Sequence, residues 1–542
     1  MDKAMNMGKS SATGSFQMLI GVASSTIIMA VGIIILGRLL ASSAEYALYG
    51  AALIPISIIN FFRDWGVNSA MTKQIASLKA SDKNAEIHDI IVSGVVFEII
   101  SGIALSALCF VLSSSLAVIL SGEFSTIPNA QSTMSLFIAI NSLAILAGAI
   151  ISAASAVFVG YERMNLNSFT LVCQAIVKTV VGPLLVVLGL GVLGATIGSV
   201  MSYIAGAIAG ITIVYIALFR PLRKAKCSRC EIRKTLKPML EYGVPLATSN
   251  VVFGILPLFF NFLMVIYAGS LYGDYLQAIN FSVLLTFLVV PITTVLFPTF
   301  SKLNPEKEPE LMKTVYASSV KYAAILIVPA TMAMIVLSTP MINTLFGYLP
   351  TGDPKYAFAP LFLTLAVLTN LFVALGNLSM GTFLAGLGET KLLMKQGLLT
   401  LSIGLPLAFI LVPTFGIIGG ILGSLVASVP SMLWGLYWIW KRYKVKADFL
   451  AAGKTVAASS IAAAVTYLFL TILVAADWIQ LASGFAIFLV IYLITAPLIG
   501  AINQTDINNL RTMLSGLGVV SKLLEIPFKL IEKTLKLRHT QK

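Results

Sequence analysis

Apolar segments of about 20 residues recur along the whole chain, and each is long enough to cross the hydrocarbon core of a bilayer as one helix. Of the 542 residues, 58% are hydrophobic and only 11% are charged. So little charge cannot cover the surface of a water-soluble protein of this length. The sequence therefore predicts an all-α polytopic membrane protein.

Hydropathy predicts about fourteen transmembrane spans. They lie at residues 14–37, 47–70, 90–118, 132–158, 166–190, 193–218, 239–268, 274–300, 314–346, 357–386, 391–413, 416–440, 451–475 and 479–501. In the segment that follows them, apolar residues recur at helical spacing between cations. We expect this segment to be an amphipathic tail on the inner membrane surface.

Cations are unevenly distributed between alternate loops. With the N-terminus inside, the outer loops carry only Arg38 and Lys355 as cations, and the inner loops carry most of the others. This positive-inside pattern predicts that both termini lie in the cytoplasm. Since no organelle-targeting signal is visible in the sequence, we expect the plasma membrane. The net charge of +14 then reflects topology and contact with anionic membrane lipids, and we expect no nucleic-acid partner.

The most basic loop, at 219–238, holds eight cations against one acid and divides the chain into two halves. It also contains a CxxC motif formed by Cys227 and Cys230. A structural zinc site needs four ligands, and the two histidines lie far away in sequence. We therefore predict no metal and no resident cofactor.

Two motifs occur once in each half. Glu45–Ala52 matches Leu271–Ala278 at an offset of 226 residues, including two tyrosines in register. Gly191–Ser199 matches Gly416–Ser424 at an offset of 225. Small residues are common in membrane helices, but that does not explain the tyrosine register. Because six spans lie in each half, the repeats insert in parallel, as two six-helix lobes with a substrate path between them.

The predicted organisation has five parts. They are an N-terminal lobe (1–218), a basic cytoplasmic linker (219–238), a C-terminal lobe (239–446), spans thirteen and fourteen (447–505) and the amphipathic cytoplasmic tail (506–542).

Four charged residues lie at depths in the predicted spans where an ionised group is costly: Arg63, Glu98, Lys178 and Lys321. One reading is pairing within the protein, such as Lys178 or Arg63 with Glu98, and snorkelling by Lys321. The other is a cationic cavity for an anionic headgroup. Arg38, at the outer end of the first span, is either an interfacial anchor or a contact on the release side.

Amides form a second pattern. Asn250 and Asn261 share one helical face of span seven, where Asn250, Gly254, Pro257 and Asn261 fall at i, i+4, i+7 and i+11. The same spacing recurs in span ten, at Asn370, Ala374, Asn377 and Gly381. Such stripes can bind sugar hydroxyls in a wet cavity, or they can join helices by hydrogen bonds.

Several segments resemble the polysaccharide-transporter flippases of the multidrug/oligosaccharidyl-lipid/polysaccharide exporter superfamily. They are Arg38–Gly50 with Trp65–Ala70, Gly273–Ala278 with Pro298–Ser301, and Gly386–Lys391 with Gly416–Gly419. The resemblance implies a MATE-like fold and no covalent chemistry. It implies that a lipid-linked glycan on a polyprenyl diphosphate crosses the membrane by alternating access. Under the cationic-cavity reading, Arg63, Lys178 and Lys321 would neutralise the pyrophosphate, and the amides would line the cavity for the glycan.

Two other functions stay open. A multidrug antiporter of the same superfamily would use a deep acid such as Glu98, coupled to H⁺ or Na⁺. A membrane glycosyltransferase or polymerase would need a catalytic group in a sizeable loop, and the outer loops are short and lack hydrolase, metalloprotease or P-loop motifs. We expect a monomer whose further partners are glycan-assembly enzymes.

Overall fold

The computed structural model describes residues 2–79, 81, 83–124, 127–220, 232–285, 289, 292–293, 296, 300–301, 303, 305–514, 525, 527 and 529–535. These residues are mainly helical, and the only β-bridge among them joins Tyr348 to Pro354. The fold is therefore all-α, as predicted. Cys227 and Cys230 lie outside the described residues.

The helices follow in chain order. They are α1 (Asp2–Leu39), α2 (Ser43–Phe61), α3 (Val67–Lys79), α4 (Asn84–Leu120), α5 (Ala130–Gly160), α6 (Met164–Leu185), α7 (Gly191–Ile213), α8 (Ile232–Ala268), α9 (Tyr272–Ser282), α10 (Pro309–Val336), α11 (Ser338–Phe346), α12 (Ala359–Val367), α13 (Asn377–Gly386), α14 (Thr390–Tyr443), α15 (Phe449–Ile472), α16 (Asp477–Ile499) and α17 (Gln504–Leu514).

Ten helical stretches in the described part are long and apolar enough to cross a membrane, or eleven if the bent pair Ala359–Leu375 and Asn377–Gly386 is one span. Two of them, Met164–Phe219 and Thr390–Tyr443, are 56 and 54 residues long. A single crossing needs about 20 residues, so each of these has the length of two crossings. The protein is thus a multi-pass membrane protein, and a total of fourteen spans stays a prediction.

Both long stretches break at a repeated glycine. Gly191 has φ 50° and ψ −134°, and Gly416, its match at an offset of 225 residues, has φ 56° and ψ −130°. Only glycine adopts this region readily, because a Cβ would clash with the backbone. The two halves therefore use the same backbone device at equivalent positions, which supports the internal repeat.

The two repeated segments that contain the tyrosines, Glu45–Ala52 and Leu271–Ala278, pack directly on each other. A Cβ on Gly273 would overlap the carbonyl oxygen of Ser43 and lie 3.0 Å from the Ala47 nitrogen. Ala47 is the residue equivalent to Gly273 at the offset of 226. A Cβ on Gly50 would likewise overlap the side chain of Leu276, its own equivalent. Contacts between equivalent residues are the mark of a two-fold relationship.

The described chain divides into two compact units. The first comprises Met1–Leu276 and Leu405–Gly420, and the second comprises Gln277–Gly404 and Ile421–Lys542. In the first unit, α4 and α2 pack against α5, and α6 packs against both α1 and α7. This arrangement brings the end of α2, the middle of α4 and the middle of α5 to one place.

In the second unit, α10 packs against α15, and α15 packs against α16. Part of the tail that was predicted to lie on the membrane surface joins this core. Ile507, Ile531 and Leu535 are buried in one apolar cluster with Ile325 and Tyr492. These tail residues therefore contact protein rather than lipid.

Candidate functional site

Arg63 lies in the turn that follows α2 and is almost fully buried, at 6% exposure. Its guanidinium donates to Asn60 Oδ1 at 3.1 Å and to Ser152 Oγ at 2.7 Å. A longer bond of 3.4 Å reaches the carbonyl of Ile145. The helices α2 and α5 thus hold this cation in one orientation.

Glu98, in the middle of α4, is completely buried. Its Oε2 lies 3.3 Å from Arg63 Nε as an ion pair, although the two atoms lack the alignment of a hydrogen bond. Its Oε1 accepts a hydrogen bond of 2.8 Å from Asn68 Nδ2. Neighbouring Asp64 is engaged elsewhere, because its Oδ1 accepts from the Gly66 N–H at 2.9 Å. The sequence-based reading of Arg63 paired with Glu98 is therefore what the structure contains.

Lys178 has a different environment. It lies in α6 and is partly exposed, and the electrostatic neighbours of its ammonium group are the phenols of Tyr49 and Tyr203. Within the described ranges, no carboxylate forms an ion pair with it. An ammonium group in a membrane helix without an acidic partner usually faces a water-filled space or a ligand.

Gly148 lies close to both Arg63 and the ring of Tyr203, which is itself an electrostatic neighbour of Lys178. A Cβ at this position of α5 would lie 3.2 Å from Arg63 Nη1 and 3.9 Å from the ring of Tyr203. The missing side chain therefore makes room for the guanidinium on one side and the tyrosine ring on the other. Arg63, Tyr203 and Lys178 form one polar array, which we call the unit-1 array together with Glu98 and Tyr49.

Lys321 is held by a carboxylate instead. Its Nζ lies 2.6 Å from Asp506 Oδ2, and the two side chains are 18% and 5% exposed. The next residue, Tyr322, accepts a hydrogen bond of 2.7 Å from Asn509 Nδ2. Lys321 lies in the second unit and is not part of the unit-1 array.

The amides differ from one another. Asn261 is in the continuous helix α8, and its buried Oδ1 has no hydrogen-bond partner in the described structure, so it has an acceptor to offer. The side chain of Asn250 lies outside the described part. The face predicted for Asn370 and Asn377 does not exist as one helical stripe. Asn370 is in a 3₁₀ segment, and the chain bends by 60° at Gly376, whose φ of 93° favours glycine.

Arg38 lies exposed in the last turn of α1. A cation there interacts favourably with the helix dipole, which agrees with an anchoring role. Sequence reasoning missed Asn68, Ser152, Tyr203 and Asp506, because ordinary polar residues in apolar spans carry no signal until folding places them beside a charge.

Comparison with solved structures identifies the fold. A structure described as "Lipid II flippase MurJ, inward closed conformation" aligns with a TM-score of 0.72 and 16% identity, over 88% of this chain and 97% of that one. An inward-facing multidrug resistance MATE family transporter of the MOP superfamily aligns with a TM-score of 0.62 and 18% identity, over 78% and 95%. At this identity the likeness shows the fold, which is that of MOP-superfamily transporters.

Sequence comparison identifies the family. Residues 11–304 match the polysaccharide biosynthesis protein family, and residues 266–495 match the lipid II flippase MurJ family. The chain belongs to the polysaccharide biosynthesis protein family. Two uncharacterized membrane proteins of Methanocaldococcus jannaschii are each 24% identical to it, over 326 and 402 residues. These matches cover 58% and 69% of this chain and 73% of each relative.

Proposed function

We propose that this protein is a flippase that carries a lipid-linked oligosaccharide or polysaccharide precursor across the membrane. The family and the fold support a lipid-linked glycan as the substrate. The single observation that carries the chemistry is Lys178, a membrane cation that no described carboxylate neutralises. A polyprenyl diphosphate supplies the negative charge that this ammonium group lacks.

The pyrophosphate is bound first by Lys178, with the hydroxyls of Tyr49 and Tyr203 as additional donors. Arg63 is a second contact, because its Nε meets Glu98 as an ion pair without hydrogen-bond alignment and therefore keeps an N–H that could be donated to the anion. Lys321 contributes only if Asp506 releases it. The free oxygen of Asn261 is suited to a sugar hydroxyl.

The proposed activity is transport of the substrate across the membrane, and no covalent bond is made or broken. The chain alternates between states open to either side, and coupling to H⁺ or Na⁺ uses Glu98, the buried acid that touches Arg63. Protonation of Glu98 would free Arg63 for the anion. We further propose that both termini lie in the cytoplasm, in accordance with the basic loops. The protein would act as a monomer in the plasma membrane, and glycan-assembly enzymes on the cytoplasmic side would supply its substrate.

A translocation assay in proteoliposomes tests the proposal, with a labelled polyprenyl-diphosphate oligosaccharide as the probe. Lys178→Gln should slow translocation about tenfold or more, because a charge-assisted contact contributes about 1.5–3 kcal/mol. Lys178→Arg should retain most of the rate. Lys395→Gln, which removes an exposed cation of α14, is the matched control and should behave as wild type. A full rate in Lys178→Gln would contradict the proposal.

The second candidate function is a cation-coupled multidrug antiporter, favoured by the buried acid Glu98 and by the MATE neighbour in fold. A drug cation needs an acid that is free to receive it, whereas Glu98 already has Arg63 and Asn68 as partners. Two results together would favour this antiporter. Whole cells would show drug efflux that Glu98→Gln abolishes, and the purified protein would show no glycolipid translocation.

A further inference from the structure

The last turns of α14 present one exposed face. Leu433, Tyr437 and Trp440 lie at i, i+4 and i+7 and are 54%, 53% and 41% exposed. The Tyr437 and Trp440 rings lie 5.9 Å apart. An apolar stripe that ends in tyrosine and tryptophan is typical of a helix leaving the hydrocarbon core at the level of the lipid headgroups.

Two lysines follow this stripe and face the same indole. The ring centroid of Trp440 lies 5.6 Å from Lys444 Nζ and 5.4 Å from Lys446 Nζ. Both distances are within the range of a cation–π contact. Two ammonium groups held over one ring repel each other, and an anion placed between them relieves that repulsion.

The backbone fixes both lysines on this side. Lys444 ends α14 in the left-handed conformation, with φ 57°, and its N–H donates to the Trp440 carbonyl at 3.0 Å. The next residues alternate: Val445 and Ala447 are buried in an apolar cluster, and Lys444 and Lys446 are exposed. The alternation of exposed and buried residues therefore leaves both lysine side chains on the exposed side of this segment.

Exposed apolar residues follow the lysines in the chain. Helix α15 begins with Phe449 and Leu450, which are 53% and 72% exposed. The nearby carboxylate of Asp448 accepts a hydrogen bond of 3.0 Å from the Ala451 N–H and so caps this helix. In the described part of the chain, Lys444 and Lys446 form no ion pair with a carboxylate.

We propose that Trp440, Lys444 and Lys446 form a binding site for the headgroup of an anionic phospholipid of the bilayer. The phosphate lies between the two ammonium groups, the rings of Tyr437 and Trp440 lie at the glycerol level, and an acyl chain follows Leu433. This site is separate from the unit-1 array, and it does not depend on the proposed flippase function.

The test measures lipid binding to the purified full-length protein in detergent by native mass spectrometry, with phosphatidylglycerol and phosphatidylcholine as probes. We expect wild type to prefer phosphatidylglycerol. The double variant Lys444→Gln/Lys446→Gln should lose about thirtyfold in affinity for it, from two lysines near a membrane surface. The matched control is Lys391→Gln/Lys395→Gln, which removes two exposed cations near the start of the same helix and should leave affinity unchanged.

Equal affinity of wild type for the two lipids, or unchanged phosphatidylglycerol binding in the double variant, would overturn the proposal. Millimolar inorganic phosphate is added in a parallel arm, and competition by it would show a site for soluble anions instead of a lipid headgroup. If the double variant does not fold, Trp440→Leu and the salt dependence of wild-type binding decide the question. Binding that stays constant between about 0.1 M and 0.5 M salt excludes a charge-based site.

Discussion

Lys321 Nζ lies 2.6 Å from the Asp506 carboxylate, which follows it by 185 residues in the chain. Asp506 also accepts a hydrogen bond of 2.9 Å from the Asn503 N–H, and its own N–H donates to Asn503 Oδ1 at 2.9 Å. These reciprocal bonds form a capping box at the start of α17. The carboxylate therefore both begins a tail helix and ties it to α10.

The first prediction concerns this connection. Asp506→Ala should destabilise the protein by about 3 kcal/mol, because it removes a helix cap and leaves the poorly exposed Lys321 without a counter-charge. Thermal unfolding in detergent and cleavage of the tail by protease measure the effect. Glu310→Gln breaks the exposed pair of Lys313 with Glu310 and should cost no more than about 0.5 kcal/mol. Equal losses in the two variants would show that the Lys321–Asp506 pair contributes little.

The second prediction separates the two cations of the unit-1 array. Arg63→Gln leaves Glu98 buried without its ion pair and should lower stability by about 3 kcal/mol. Lys178→Gln leaves no described carboxylate unpaired, so its unfolding temperature should stay near that of wild type although translocation falls. Unfolding curves and translocation rates of both variants are compared. A Lys178→Gln variant as unstable as Arg63→Gln would mean that Lys178 has a structural role.

The third prediction tests the packing of the repeated motifs. Gly273→Ala places a methyl group on the backbone carbonyl of Ser43, which cannot move without shifting α2. Overpacking of this kind costs about 1–3 kcal/mol or more. Gly50→Ala meets the flexible end of Leu276 and should cost less.

Gly453→Ala, inside α15 with no atom within 4 Å of the new Cβ, is the control and should gain up to about 1 kcal/mol from helix propensity. Unfolding temperatures of the three variants give the ranking. A Gly273→Ala protein as stable as Gly453→Ala would contradict the direct contact of the two motifs.

The fourth prediction is a dependence on pH. The hydroxyl of Tyr348 donates to Asp477, and this bond raises the pKa of Tyr348 above its usual value of 10.0. A raised folded-state pKa gives a stabilisation that is complete below the unfolded pKa and is lost as the pH rises through the folded pKa. Wild type should therefore lose more stability than Tyr348→Phe above about pH 10. Phenylalanine at position 348 cannot ionise, so the Tyr348→Phe variant lacks this effect. If the unfolding temperatures of wild type and Tyr348→Phe changed equally between about pH 8 and 11, the prediction would be contradicted.

Much of the architecture could be predicted from the amino-acid sequence alone. Composition and segment length predicted an all-α membrane protein, because a bilayer accepts only helices or closed barrels. Gly191 and Gly416 predicted a repeat, and the structure gives them nearly the same dihedral angles. The straight amide stripe through Asn370 and Asn377 was wrong, because one glycine between them, Gly376, adopts a positive φ and bends the chain.

Local pattern was enough for what depends on the solvent: a chain of many apolar helices with basic segments between them. The bilayer imposes these features residue by residue. The partners of each charge were not accessible in this way. Arg63, Lys178 and Lys321 look alike along the chain, yet packing places Glu98 beside the first, Asp506 beside the third, and tyrosines beside the second. Partner choice depends on which distant helices pack together, and only folding brings those helices into contact.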